Sequence, residues 1–330
     1  MAILANEKVL TLDYWKPASK LQVGDYVFDR NGLIVQVKLV QQYVSSSCYE
    51  VTFNDHLRMA GDSKLGFLVE TPKYRKRTYE YKHVQPFRRP LKLFRAEVLE
   101  HFELTDHRNR HIFSVPTAKP LALPHQDLPV PPFIFGFWFF NQRSNGKLAA
   151  PPKTAEYIHE KFRDYGYKVQ LGKLIKTGEN EFDTIPSVRS QLIPNPPTKI
   201  PENYLLASAQ QRTELLSGIL YAKSRQYNKK NDKFRITCGH YGTILQLQGL
   251  VESLGHRSTV TYDDTYHYYT ISFKSRTKLT EEQNSPPIRI HQARRYVTEI
   301  NSIPAQMCVH IETTAPDNTI LVGEGFIATC

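Results

Sequence analysis

The sequence is short of cysteine, of long apolar runs and, in places, of acid, and each shortage excludes something. Four cysteines are scattered through 330 residues: Cys48, Cys238, Cys308 and Cys330. None stands in a C-x-x-C pair, which argues against a zinc site and against a disulfide framework. Reduced thiols in a cytoplasmic chain are the simple expectation. No run of eighteen apolar residues occurs, so no membrane-spanning helix and no membrane partner are expected. The opening "MAILANEKVLTLDYW" lacks the charged start and apolar stretch of a signal peptide. Acids are outnumbered, 32 Asp and Glu against 43 Lys and Arg, for a net charge of +11 and a pI near 9.3. They are missing altogether from residues 131–146 and 215–230, two stretches that otherwise read as well-packed helices.

What is present suffices for two domains of ordinary size, since 40% of the residues are hydrophobic. The excess of positive charge suits a polyanionic partner, because each neutralised phosphate releases condensed counterions. A merely soluble basic protein would show the same total, so the distribution decides. Residues 72–95, "PKYRKRTYEYKHVQPFRRPLKLFR", hold Lys73, Arg75, Lys76, Arg77, Lys82, Arg88, Arg89, Lys92 and Arg95 against a single acid, Glu80. Tyrosines and phenylalanines stand between them. Cations spaced by rings suit a nucleic-acid backbone better than a solvated strand pair.

The first seventy residues are β-rich. "KVLTLD", "YVFDRNG", "LIVQVKLVQQYV" and "CYEVTFND" are broken by turn chemistry at Asn31-Gly32 and Asn54-Asp55. Val35, Val37 and Leu39 alternate with Ile34, Gln36 and Lys38, predicting one buried face. A proline-rich stretch, "LPHQDLPVPP", then marks a boundary. Beyond it one outline occurs twice: apolar helix, polar turn, strand, helix ending on glycine (Gly166, then Gly255), strand. The last thirty residues return to strands and read as the missing piece of the first β unit.

In this order the residues resemble an intein with an inserted LAGLIDADG homing endonuclease. "VGDYVF" resembles the opening of a Hint fold. "CYEVTFNDHLRMAGDSKLGFLVE" is similar to the intein block that carries Thr-x-x-His, and "MCVHIETTAPDNTILVGEGFIATC" to the two C-terminal blocks. The resemblance implies an all-β Hint domain interrupted by an α+β endonuclease domain with two pseudo-symmetric halves. Its expected bounds are 1–130 with the basic insert 72–95, 131–284 with halves 131–212 and 213–284, and 285–330.

The resemblance also implies where the chemistry should be, and the residues there have changed. Each LAGLIDADG helix should deliver an acid that holds a divalent ion, usually magnesium, since carboxylates are the hard ligands it prefers. Here Asn141 and Lys223 occupy those positions. Cleavage is expected to be lost, no metal or cofactor is expected, and Mg2+ enters only if endonuclease activity persists. Phe140 replaces a small residue at the helix crossing, which predicts looser packing there. The splicing positions are altered too: Ala5 begins the first block, Ser63 stands for the histidine, and the chain ends Ala328-Thr329-Cys330 in place of His-Asn. Cys308 and Thr329 match inteins that use an internal cysteine as first nucleophile, although Leu65 fills their tryptophan slot. Cys308 is therefore either a relic nucleophile, with His310 lowering its pKa, or a buried strand cysteine.

The expected partner is double-stranded DNA, bound by a monomer with an internal pseudo-dyad in a bacterial or phage-infected cell. Arg235, Lys274 and Arg276 are the groove candidates, and the basic insert the backbone clamp. A weakly active endonuclease, a Cys308-dependent peptide-cleaving enzyme and a protein-interaction module on a Hint fold are the alternatives.

Overall fold

The structure is a computed structural model that describes residues 2–71, 92–141, 148–150, 152–167, 169–174, 180–184, 199–222, 227–228, 233–275, 277–281, 283 and 294–330. It divides into two compact units. One comprises Met1–Ala122, Gly255–Thr259 and Ile288–Cys330, the other Leu123–Leu254 and Val260–Pro287.

The first unit is built on strands. Among the described residues its largest sheet has eight, in the order Ser114–Pro116, Arg294–Ile303, Cys48–Phe53, Arg58–Asp62, Ala2–Leu4, Gln306–Thr313, Ile34–Ser45, Tyr26–Phe28. Strands from both ends of the chain share this sheet: Ala2 is opposite His310 and Leu4 opposite Cys308. The turns follow from residue chemistry. Asp29 accepts hydrogen bonds at Oδ1 from the backbone N–H groups of Asn31 and Leu33, at 2.8 and 2.9 Å, while Gly32 takes φ 73°. A Cβ at Gly32 would stand 2.2 Å from the Pro120 carbonyl oxygen, so glycine is required twice over there.

In the strand Ile34–Ser45 the expected alternation holds for Val35 and Val37, which are buried, but Leu39 is 39% exposed. The reason is a bulge. Glu312 pairs with Leu39 and Thr313 with Val37, so Lys38 is an extra residue and the inward face passes to Val40.

A buried carboxylate organises the core's edge. Asp55, in the turn between Cys48–Phe53 and Arg58–Asp62, has its Oδ2 2.8 Å from Arg295 Nε and 3.3 Å from Arg257 Nε. The neighbouring Arg294 reaches Glu70 at 2.6 Å. Both arginine side chains on Arg294–Ile303 are almost fully buried, so each charge needs its partner.

The second unit is mixed. Pro132 opens the helix Pro132–Asn141, where its missing N–H costs nothing. The helix buries Phe133, Ile134, Phe135 and Phe137 on every side, as a central core helix does. It packs on Ala209–Ala222 through glycine: a Cβ on Gly136 would lie 2.4 Å from the Leu215 carbonyl oxygen, and one on Gly218 2.1 Å from that of Phe133. The looser packing expected from Phe140 is not seen. That ring sits beyond the crossing, 5.0 Å from Phe139 at the margin of the core, and the backbones meet at the glycines instead.

The helix Pro152–Asp164 ends on Gly166, φ 80°, with Gly166 N–H donating to Arg163 O and Tyr167 N–H to Phe162 O. These two bonds are a Schellman cap. A three-stranded sheet (Leu148–Ala150, Asn180–Thr184, Val169–Leu174) and a four-stranded one (Tyr227–Asn228, Lys233–Cys238, Tyr268–Phe273, Ser258–Asp263) complete the unit.

Candidate functional site

The first candidate centre lies where the two glycine-crossed helices end. Asn141 is the last residue of its helix and is partly exposed. Its partner position, Lys223, lies outside the described residues, one place beyond Ala222. An amide closes the first helix, and among the described residues no group of three or more His, Cys, Asp or Glu could hold a metal.

The second candidate is the solvent face of the four-stranded sheet. Period-two alternation sends Phe234, Ile236, Ile271 and Phe273 inward, all buried. Arg235 pairs with Ser272 and Thr237 with Thr270 across the ladder, on the opposite face. That face carries the exposed Arg235 guanidinium beside the hydroxyl residues Thr237, Thr270 and Ser272, with Lys233 on the same side of its strand, and Lys274, partly exposed, follows directly after the end of the neighbouring strand. Arg276 and the clamp residues Lys73, Arg75, Lys76, Arg77, Lys82, Arg88 and Arg89 lie outside the described residues. Gly66–Val69 and Lys92–Arg95, on either side of 72–91, pair antiparallel.

The third candidate is the splicing centre, in the β unit. The register sets Cys308 opposite Leu4, and Ala5 N–H donates to Met307 O at 2.9 Å, so the Leu4–Ala5 junction runs beside Met307 and Cys308. Thr329 is fully buried and donates through Oγ1 to Gly66 O at 2.8 Å. Ser63 sits in the turn just before, where Leu65 N–H bonds Asp62 O, and donates its own N–H to Ser47 O. Leu65, in the tryptophan slot, is core.

What the sequence did not disclose is the polar neighbourhood of Cys308. Tyr43 donates its hydroxyl to buried Asp62 at 2.5 Å, and the Cys308 thiol lies 3.8 Å from that of Cys48. Tyr43 is directly across from Cys308 on the adjoining strand, and Asp62 immediately precedes Ser63, the one clue available beforehand.

The expectation that His310 would lower the Cys308 pKa is corrected. His310 Nε2 lies 3.2 Å from Glu312 Oε1. Burial first, then the Cys48 thiol and the Asp62 charge, push the Cys308 thiol up, to about 12. This leaves less thiolate at neutral pH than an ordinary thiol has. Iodoacetamide at pH 7 is accordingly expected to label the half-exposed Cys238 and to spare Cys308 in the folded chain. Equal labelling would contradict this geometry. The sign for stability follows: the folded thiol keeps its proton where an unfolded one loses it, so alkali from about 9 to about 12 removes a stabilising contribution.

No family model matches the chain. The replicative DNA helicase DnaB of Mycobacterium intracellulare is 24% identical over 296 residues, covering 85% of this chain and 48% of that protein. The chain thus spans about half the length of the curated relative it matches. Among solved structures, the MchDnaB-1 intein aligns at 20% identity over 21% of this chain and 53% of its own, with a TM-score of 0.20. The homing endonuclease I-DmoI, solved with DNA and Mn, aligns at 11% identity over 44% of this chain and 91% of its own, with a TM-score of 0.32. In its motifs and in the proteins it matches, the chain is similar to an intein carrying an inserted LAGLIDADG homing endonuclease.

Proposed function

We propose that this chain is an intein-associated homing endonuclease that holds duplex DNA but has lost cleavage and protein splicing. The observation that carries the DNA part is the four-stranded sheet's solvent face, where Arg235 stands among Ser272, Thr237 and Thr270 while the opposite face is sealed in the core. A guanidinium with hydroxyl neighbours can donate to phosphate oxygens and to guanine edges in a major groove. The net charge of +11 and the run 72–95 supply the sequence-independent attraction.

In this reading the helix–strand units on either side of the Gly136–Gly218 crossing are two halves about a pseudo-dyad within a monomer. Asn141 and Lys223 replace the metal-binding acids, leaving no requirement for Mg2+. Lys223 holds phosphate at most. In the β unit Cys308 has the place of a first nucleophile but not its acidity, and Ser63 stands where the resemblance expects the activating histidine. The same reading places the protein in the cytoplasm of a bacterial or phage-infected cell.

The test is a titration of the full chain with labelled duplex DNA at several salt concentrations. Binding should weaken by on the order of a thousandfold between 50 and 200 mM salt, as for about six phosphate contacts. Arg235→Ala should weaken it by roughly tenfold further at fixed salt. Negligible affinity at low salt would remove the reading. Nicking in magnesium or manganese would restore the enzyme in its place.

A further inference from the structure

Two thiols that the sequence sets 260 residues apart lie against each other in the β unit. Cys48 opens the strand Cys48–Phe53, and Cys308 is the third residue of Gln306–Thr313. Both are fully buried, with Sγ atoms 3.8 Å apart and hydrogen-bonded. The two strands are not ladder partners. Cys48 pairs with Asp62 and Ile303, Cys308 with Leu4 and Tyr43, so the thiol contact bridges strands that share no main-chain hydrogen bonds. The pocket is completed by Ala2 and closed over by Leu4, Tyr43 and Ile303, all three only partly buried.

We propose that Cys48 and Cys308 form a reversible dithiol–disulfide site, oxidised by hydrogen peroxide or by a small-molecule disulfide. With peroxide, one sulfur attacks the O–O bond, becoming a sulfenic acid and releasing water. The second thiol then attacks that sulfur, the S–S bond forms, and the hydroxyl leaves with the thiol proton as a second water. Two thiols and one peroxide give one disulfide and two waters. With a small disulfide, two exchange steps release two small thiols instead. The sulfurs, 3.8 Å apart, have to close to about 2.05 Å to bond. Oxidation would staple Cys48–Phe53 to Gln306–Thr313 and would consume the thiol beside the Leu4–Ala5 junction. This site is independent of DNA binding and stands or falls without it.

The experiment treats the folded full chain with hydrogen peroxide, removes the peroxide, unfolds the chain in urea with iodoacetamide present to block remaining thiols, digests without reductant and reads the peptides by mass spectrometry. The expected result is a cross-linked pair joining the peptides of Cys48 and Cys308, abolished by dithiothreitol and absent from Cys48→Ala. The oxidised chain should also melt higher, by on the order of 5 °C, and lose that gain on reduction, because a bond across so long a loop restricts the unfolded chain. The wild-type peptide map needs no variant to fold. A map in which Cys238 and Cys330 oxidise while Cys48 and Cys308 stay unlinked would overturn the proposal, as would a link that forms only after unfolding in urea.

Discussion

Replacing Asp55 with alanine is expected to cost about 3–5 kcal/mol in the β unit, measured by urea unfolding. The carboxylate is wholly buried and lies against Arg295 and Arg257. Its removal takes away the carboxylate that the Arg295 guanidinium, 2% exposed, lies against in a low-dielectric site. Arg257, 22% exposed, can turn toward water and recover part of the loss, which favours the lower end of the range. The comparison is Glu324→Ala, which breaks the Lys8–Glu324 pair at the surface, where both side chains are well solvated. That change should cost less than about 0.5 kcal/mol. Equal costs at the two sites would mean that burial is not what gives the Asp55 cluster its weight.

Gly218→Ala is the second large effect, and its sign runs against helix propensity. Alanine in place of glycine within an exposed helix stabilises by about 1 kcal/mol. At Gly218 the new methyl would meet the Phe133 carbonyl oxygen at 2.1 Å and the Phe137 nitrogen at 2.9 Å, which are backbone atoms of the facing helix. No rotamer relieves that contact, so the helices must separate and the core between them opens. A net loss of about 2–3 kcal/mol follows, and more for Gly136→Ala and Gly218→Ala together, which meet at one crossing and will not add independently. Gly249, within the helix Tyr241–Ser253, serves as the control, because a methyl added there would meet nothing within 4 Å. Gly249→Ala should raise stability by about 0.5–1 kcal/mol. A neutral Gly218→Ala would mean the crossing is not close.

Local chemistry was legible in the sequence wherever one residue type answers one backbone requirement. Gly166 and Gly255 both take positive φ, 80° and 76°, where their helices stop. Asn31-Gly32 makes the turn its chemistry predicts, and the paired small residues Gly136 and Gly218 mark the helix contact. The failures come from pairings that tertiary structure creates. A bulge opposite Thr313 exposes Leu39, and nothing within the strand's own alternation announces a bulge on the register with a distant partner. His310 stands two places from Cys308, but burial first, and then Cys48 and Asp62, remote in sequence, push that thiol's pKa in the opposite direction. Arg295 and Asp55 are 240 positions apart, so neither reads as a buried ion pair until the strands are assembled. Spacing along the chain gives the faces of elements; which faces meet is decided by the ladder.

Whether the chain still reads duplex DNA after losing the acids that would cut it comes down to one experiment. Bound DNA is selected from a random duplex pool by the full chain with Mg2+ present. The expected outcome is an enriched site of about twenty base pairs, two half-sites spaced a helical turn or two apart, recovered uncut. A pool that remains unenriched would contradict DNA reading, and an enriched site recovered as cleaved ends would contradict the loss of catalysis.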